Sequence, residues 1–455
     1  MERKPLPHKT KLLYGMGAFG YGSIGQTMNS FLMFFGTGIL GIPGALMGIA
    51  IAISTIWDAS TDPVVGYYSD KTRSPRFGKR HGFILVGCFA VAFANLSIWS
   101  ISPNLPTGTK FTLLLVLLLL METFNTVYST PYQALGLDLS ATYEDRTAVQ
   151  AYRTIFGFSA LLVPTLLMTI FLSPGRYTSL AESAGGFRAI ALFTSALCII
   201  CGLIVFFGTF KHRQYAPSQA QPNTKIFSTF FSILKQKNIG ILIMGYAISL
   251  GAAAFITSLG LHIFTYTFQF STLQIPFIMV ALILGIILGQ PLWFFYARKT
   301  DKISALLTAL VVVICGMLMF SLILATRNTI NPGFVLPLVV VTLFVCGIGT
   351  GCLYSLPISM FADCIELERE RTGEDKTAIS AGFLTFCTKI SNAFIMFIIG
   401  ISLDLIGFSG AQATQPMRVQ NWLGWLLVSG VTIACVSAMF VYSRYSYRRE
   451  NFKQS

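Results

Sequence analysis

Two carboxylates, Asp58 and Asp62, stand four residues apart, with Thr61 beside the second, in a stretch apolar enough to cross a bilayer. Each ionised carboxylate at membrane depth costs about 2.5–3.5 kcal/mol, so the pair demands compensation. At positions i, i+3 and i+4 of a helix the three side-chain oxygens project from one face. Such oxygens suit a hard monovalent cation or a proton, and a dry, protein-lined site strengthens the attraction. The competing reading is a salt-bridged pair that holds a helix bundle together, with Lys389 as partner. The two readings overlap, because a lysine displaced by an arriving cation is itself a coupling device. Pro63 frees a backbone carbonyl in the preceding turn, which is either a further oxygen or only a kink.

Glu122 and His262 also fall inside apolar runs. Glu122 lies seven residues before Ser129 and on the same helical face; it reads either as an extra coupling carboxylate or as an interfacial side chain reaching for water. His262 is the type of side chain that titrates near neutral pH, although a lone histidine more often packs. The 39 phenylalanines are read as facing lipid or packing helices, and no stacking role is assigned to them.

The elements that carry these residues follow from composition. Of 455 residues 54% are apolar and 11% charged, against about 25% charged in a soluble domain, which excludes a soluble enzyme. Twelve apolar segments are predicted, at 12–37, 42–68, 83–103, 111–137, 150–173, 187–210, 238–268, 272–297, 303–326, 334–361, 377–404 and 421–443. Each is long enough to span about 30 Å of hydrocarbon. Segments of this length without strict alternation exclude a membrane β-barrel. The expected fold is an all-α polytopic membrane protein.

The net charge of +14 is topology rather than a nucleic-acid footprint. Lys and Arg cluster at both ends of the chain, between segments 2 and 3, between 6 and 7, and between 8 and 9. By the positive-inside rule both termini are cytoplasmic. The nine cysteines fall in or beside apolar runs and form no zinc or disulfide framework. The N-terminus is too polar for the apolar region of a signal peptide, so segment 1 is expected to stay in the mature protein.

The longest polar interruption, Lys211 to Lys225, falls near the middle of the chain. We read residues 1–210 as one six-helix half, 211–237 as a cytoplasmic linker and 238–455 as a second half. "EDRTAV" after segment 4 is answered by "EDKTAI" after segment 10, and "SDKTRS" after segment 2 by "ARKTDK" after segment 8. Both pairs lie about half the chain apart, the expected pattern of parallel repeats in a major facilitator transporter.

The stretch "WDASTDPVVGYYSDKTRSPRFGKRHGFILVG" resembles the signature of the glycoside-pentoside-hexuronide:cation symporter family of the major facilitator superfamily. Two further blocks agree: "PYQALGLDLSATYEDRTAVQAYR" and "ADCIELERERTGEDKTAISAGFLTFCTKISNAF". The resemblance spans nearly the whole chain. It implies a sodium- or proton-coupled symporter with two six-helix halves, and it places the cation site on Asp58, Thr61, Asp62 and Thr126. The family's cation-facing lysine falls on Lys389, a sugar-contacting threonine on Thr385 and a sugar-binding arginine on Arg153. Three positions depart from the galactoside-carrying members: a helix-1 aspartate falls on Gly22, beside Tyr21, a helix-4 aspartate on Ser129, and a stacking tryptophan on Gln133. The cation machinery is kept while much of a galactoside site is gone; the expected solute contacts are Tyr21, Gly22, Ser129, Gln133, Arg153, Thr385 and Lys389.

The charged loops supply a candidate gate. Asp70 and Lys71 at the end of segment 2 face Asp145, Arg146, Asp363 and Arg371 as possible partners in a state-dependent latch. The chain is therefore expected to be a symporter of a small polar solute, a sugar or sugar acid, in an inner or plasma membrane. Lysophospholipid transport by the same fold is the alternative, and a non-transporting membrane sensor a remoter one. No nucleophile–base or metal-ligand spacing marks an enzyme, and no cofactor is called for beyond the coupling ion, Na+ or H+. The expected partners are the solute, the cation and membrane lipid, with no nucleic acid, and the chain is expected to act as a monomer.

Overall fold

The computed structural model describes residues 6–72, 74–139, 143–172, 183–212, 236–372, 377–410, 412 and 414–446. Most of the predicted linker, residues 213–235, lies outside them. The described residues are helical, apart from turns and one isolated bridge between Ser74 and Gly78. The chain divides into two compact units, Met1–Ala220 with Ser409–Ala413, and Gln221–Phe408 with Thr414–Ser455.

Unit 1 contains α1 (His8–Phe34), α2 (Gly44–Lys71), α3 (His81–Trp99), α4 (Thr107–Leu139), α5 (Tyr143–Ser159), α6 (Val163–Phe171) and α7 (Ala184–Thr209). Within it α1 packs on α7 and α5, α2 on α4, and α3 on α4 and α7. Unit 2 contains α8 (Lys237–His262), α9 (Ile275–Lys299), α10 (Lys302–Thr326), α11 (Pro332–Leu353), α12 (Leu356–Thr372), α13 (Thr377–Leu405) and α14 (Met417–Tyr442). The same pairings recur there: α8 on α14 and α13, α9 on α11, and α10 on α11 and α14.

The repeat extends to helix ends. α1 and α8 each finish in a five-residue π-helix, Phe35–Ile39 and Ile263–Thr267. In both, wide backbone bonds follow: Leu40 to Phe35 and Ile42 to Gly36 in unit 1, Phe268 to Ile263 and Phe270 to Phe264 in unit 2. Each turn then passes through a positive φ, +65° at Gly41 and +54° at Gln269. In unit 1 the buried ammonium of Lys110 also donates to the carbonyls of Leu40 and Pro103, which completes the end of that π-helix.

Among the described residues, eleven helical stretches are long and apolar enough to cross a membrane. α1 is the exception. It spans 27 residues, about 40 Å at the helical rise, but glycines, hydroxyls and Lys9 and Lys11 dilute its hydropathy, and it buries much of its surface against α5 and α7. Two segments expected to be single helices are broken. Segment 5 passes through a 3-10 turn at Ala160–Leu162 before Pro164, and segment 10 stops at Tyr354–Ser355 before Pro357. A proline lacks the N–H that would close the preceding turn and crowds the residue before it. Large side chains on the outer faces stay exposed, among them Phe207, Leu322 and Phe394, as lipid-facing surface requires.

Candidate functional site

The α2–α4 seam of unit 1 brings together the residues predicted to hold a cation. Thr126, fully buried on α4, donates its hydroxyl to Asp58 Oδ1 at 2.9 Å. Thr61 Oγ1 donates to the Asp58 carbonyl at 3.1 Å and lies 3.5 Å from Thr126 Oγ1. Asp62 follows one turn after Asp58 on the same helix, half-buried like Asp58 and Thr61. Pro63 sits inside the continuous α2, where it leaves the Ala59 carbonyl without its helical donor. The Asp58 carboxylate and the hydroxyls of Thr61 and Thr126 thus meet at one seam, oxygen donors of the kind hard cations prefer. Glu122 lies on α4 one turn before Thr126, half-buried.

A tyrosine cluster lines the other side of α4. Tyr14 and Tyr132 stack at 4.7 Å between centroids, and each hydroxyl donates to the other residue's backbone carbonyl, at 3.2 and 2.8 Å. Tyr128 stacks on Tyr132 at 5.7 Å, while the half-buried Tyr21 sets its ring 5.5 Å from Tyr128 and 5.8 Å from Tyr132. The guanidinium of Arg153, from α5, lies close to the Tyr14 and Tyr21 side chains. Arg153 and Tyr21, predicted to touch solute, are therefore gathered around one aromatic wall that the sequence reading did not assign. At Gly22 an added Cβ would come within 3.3 Å of the Ala160 Cβ, so α1 approaches the broken end of α5 too closely for an aspartate side chain to fit without a shift. Ser129 is half-buried and Gln133 exposed, both on α4.

In unit 2, Thr385 and Lys389 lie one turn apart on α13, Thr385 exposed and Lys389 half-buried. Two residues beyond, Ser391 ties this helix to α8 by donating to the Ala247 carbonyl at 2.8 Å. His262 is a buried packing residue: its Nδ1 stands 3.3 Å from the Ser258 carbonyl and its ring meets Phe408 edge-on at 5.4 Å.

The charged ends of the helices pair within each unit. Gly78, at φ +67°, turns the chain after α2 through a region that a side chain would strain. This brings Arg80 back onto Asp138 of α4 at 3.3 Å and onto Ser69 of α2. In unit 2, Lys302 bonds Asp363 at 2.5 Å and Ser359 at 2.8 Å. Asp363, a predicted latch residue, is thus held by its own unit. Lys71 meets the hydroxyl of Tyr67 on its own helix. The side chains of Asp70, Asp145, Arg146 and Arg371 lie outside the described residues. Neither ion pair was foreseen, although a signal was present: "YSTP" at Tyr128–Pro131 and "YSLP" at Tyr354–Pro357 mark the repeat, and an aspartate follows each by about two turns.

The comparisons with known proteins agree with this architecture. The pattern of the MFS/sugar transport protein family matches residues 13–449. The chain is 25% identical to the sodium-dependent lysophosphatidylcholine symporter 1 of Gallus gallus, over 99% of this chain and 90% of that protein. It is 22% identical to the isoprimeverose transporter of Lactiplantibacillus pentosus, over 97% and 90%. Among solved structures, a bacterial homolog of the human lysosomal transporter Spinster, inward-facing, superposes with a TM-score of 0.68 at 13% identity, covering 97% of this chain and 98% of that one. With a family pattern that runs almost from end to end over helices built to cross a membrane, the chain belongs to the MFS/sugar transport protein family and is an integral membrane transporter, not an enzyme.

Proposed function

We propose that this transporter couples movement of a small polar solute, a sugar or sugar acid, to a sodium ion held on the α2–α4 seam. The observation that carries the reading is the Thr126–Asp58 hydrogen bond at 2.9 Å with Thr61 adjacent. Without a cation, the Thr126 proton satisfies the carboxylate. When a cation arrives, the hydroxyl rotates about its Cβ–Oγ bond and offers a lone pair in place of a proton, so the two threonines become ligands beside Asp58 and Asp62. A proton needs no such cage, and the hydroxyls therefore favour sodium. Two close carboxylates can instead share one proton, which makes the pH gradient the control to run.

Arg153 bears on the solute. A planar guanidinium with five donors suits hydroxyl pairs and carboxylates, and Gly22 leaves the nearby α1 surface without an anionic counterpart. An acidic solute is favoured over a neutral galactoside. The sodium-dependent lysophosphatidylcholine symporters among the relatives support a second reading, an amphiphile with an anionic headgroup at Arg153. The distribution of basic loops supports a cytoplasmic side for both termini and the linker; a cysteine in 211–225 should then react with an impermeant reagent only from that side.

The test is uptake into proteoliposomes of neutral sugars, uronic acids and lysophospholipids, each with a sodium gradient, a proton gradient or neither. Sodium-driven accumulation of a sugar or uronic acid, abolished by Asp58→Asn, is the expected result. Accumulation of lysophospholipid alone transfers the function to the second reading. Undiminished sodium-driven uptake by Asp58→Asn removes the α2–α4 seam as the cation site.

A further inference from the structure

Trp57, immediately before Asp58, and Thr123, one turn before Thr126, belong to none of the predicted site residues. The indole Nε1 of Trp57 donates to Thr123 Oγ1 at 2.9 Å. The Thr123 hydroxyl then passes its own proton to the Leu119 carbonyl of α4 at 2.8 Å. Both roles of this hydroxyl are therefore committed, so the acceptor that Trp57 meets has a fixed orientation. Consecutive residues of α2 thus make two cross-helix bonds to a pair of threonines that share one face of α4.

The first bond involves no carboxylate, and the Thr123 hydroxyl already accepts from Trp57 and donates to Leu119. Its effect is geometric. An indole N–H is a donor only, and although Trp57 is 46% exposed, its N–H is spent on Thr123. The Trp57–Thr123 bond accordingly resists any rotation or slide of α2 on α4 that would carry Asp58 away from Thr126. Hard-cation binding is sensitive to ligand spacing within tenths of an ångström, so a clamp one residue away from a ligand governs how well the site is preformed.

We propose that Trp57 and Thr123 are positioning residues that hold Asp58 in register with Thr126 and thereby set the affinity and the selectivity of the cation site. The proposal rests on the cation reading given above. Its alternative is that the bond merely satisfies an indole, with no consequence for the ion.

The test is direct and requires no knowledge of the solute. Purified protein in choline chloride is titrated with sodium chloride and, separately, with lithium chloride, and the rise in melting temperature gives each apparent affinity by mass action. Trp57→Phe and Thr123→Val should each weaken sodium binding about tenfold and change the sodium-to-lithium ratio. The double variant should be no worse than either single one, because both remove the same bond. Thr123→Ser, which keeps the hydroxyl, should bind sodium as the parent does. A loss of stability in choline chloride with unchanged ion affinities, or additive effects in the double variant, would overturn the clamp. If Trp57→Phe fails to insert, the contrast between Thr123→Val and Thr123→Ser decides by the same criterion. Asp58→Asn separates the two levels: sodium binding that survives it sinks the cation site itself, whereas its loss together with parent-like Trp57→Phe and Thr123→Val sinks only the clamp.

Discussion

The α2–α4 pair of unit 1 and the α9–α11 pair of unit 2 occupy the same place in the repeat, yet they meet in opposite ways. Asp62–Pro63 is answered by Gln290–Pro291, and the "YSTP" of α4 by the "YSLP" after α11. In unit 1 the helices touch through side chains, with hydrogen bonds from Trp57 to Thr123 and from Thr126 to Asp58. At Gly66 an added Cβ would find Thr130 at a comfortable 3.6 Å. In unit 2 the helices close backbone on backbone. Gly285 and Gly289 of α9 interleave with Gly347 and Gly351 of α11, and a Cβ at Gly289 or Gly351 would fall 2.6 Å from a carbonyl oxygen of the other helix. Gln290 donates across this seam to the Gly351 carbonyl at 3.0 Å, and Trp293 to the Ile348 carbonyl at 2.7 Å. Small residues four apart allow such close approach. The price is volume: a sealed seam has no room for side-chain oxygens to converge, while the open one does.

The sharpest way to break the contrast is to give unit 1 the residue of unit 2. Asp62→Gln should weaken sodium-induced stabilisation at least about 100-fold, equivalent to about 2.7 kcal/mol, and abolish uphill uptake while the protein still inserts. The reverse operation tests the seal. Gly347→Ala should lower stability by about 2–3 kcal/mol through overpacking against the α9 backbone, whereas Gly66→Ala should stay within about 1 kcal/mol of the parent, in the direction of helix propensity. Equal losses would show that the two seams are not packed differently.

The ion pairs extend the comparison. The Arg80 side chain is 8% exposed and Asp138 24%, against 37% for Lys302 and 32% for Asp363. Asp138→Asn should therefore cost about 2 kcal/mol, since it takes a counter-charge from a buried guanidinium, and Asp363→Asn less than about 1 kcal/mol after solvent screening. Thermal denaturation in detergent ranks the two. The smallest effect is expected in the sodium titration of Gln290→Asp, which exchanges an amide donor for a carboxylate beside the Gly351 carbonyl. Stability should fall by about 2.5–3.5 kcal/mol, the cost of a carboxylate at membrane depth, with no second cation dependence. A second dependence would mean that the unit 2 seam opens more readily than its glycines imply.

Much of the candidate site was legible because helical periodicity is local. Asp58, Thr61 and Asp62 had to share a face once α2 was helical, and Thr126 was found through the family resemblance. The glycine seam was not read, although its four-residue spacing stands in "GIILG" and "GIGTG", since spacing says only that a helix has a smooth face and does not name its partner. Trp57 and Thr123 were missed because an apolar context makes both look like ordinary packing residues. The tyrosine wall was missed for the same reason: stacked rings at Tyr14, Tyr128 and Tyr132 are contacts between different helices, and no one-dimensional pattern distinguishes them from lipid-facing aromatics.

By itself the sequence determined that this chain spans a membrane many times, that its second half repeats its first, and that one helix carries two carboxylates on a single face. These follow from hydropathy, from the cost of burying charge and from a period of 3.6 residues, all of which act within a few turns. Only the tertiary structure decided that Asp58 meets Thr126, 68 residues away, and that one seam is open while its counterpart is sealed. It also decided that α4 runs unbroken through Pro131 while the chain turns at Tyr354–Ser355 before Pro357. The local sequences there are nearly the same, so local propensity cannot separate them; the outcome depends on which neighbouring helix fills the space, and that is settled by packing distances between residues far apart in the chain.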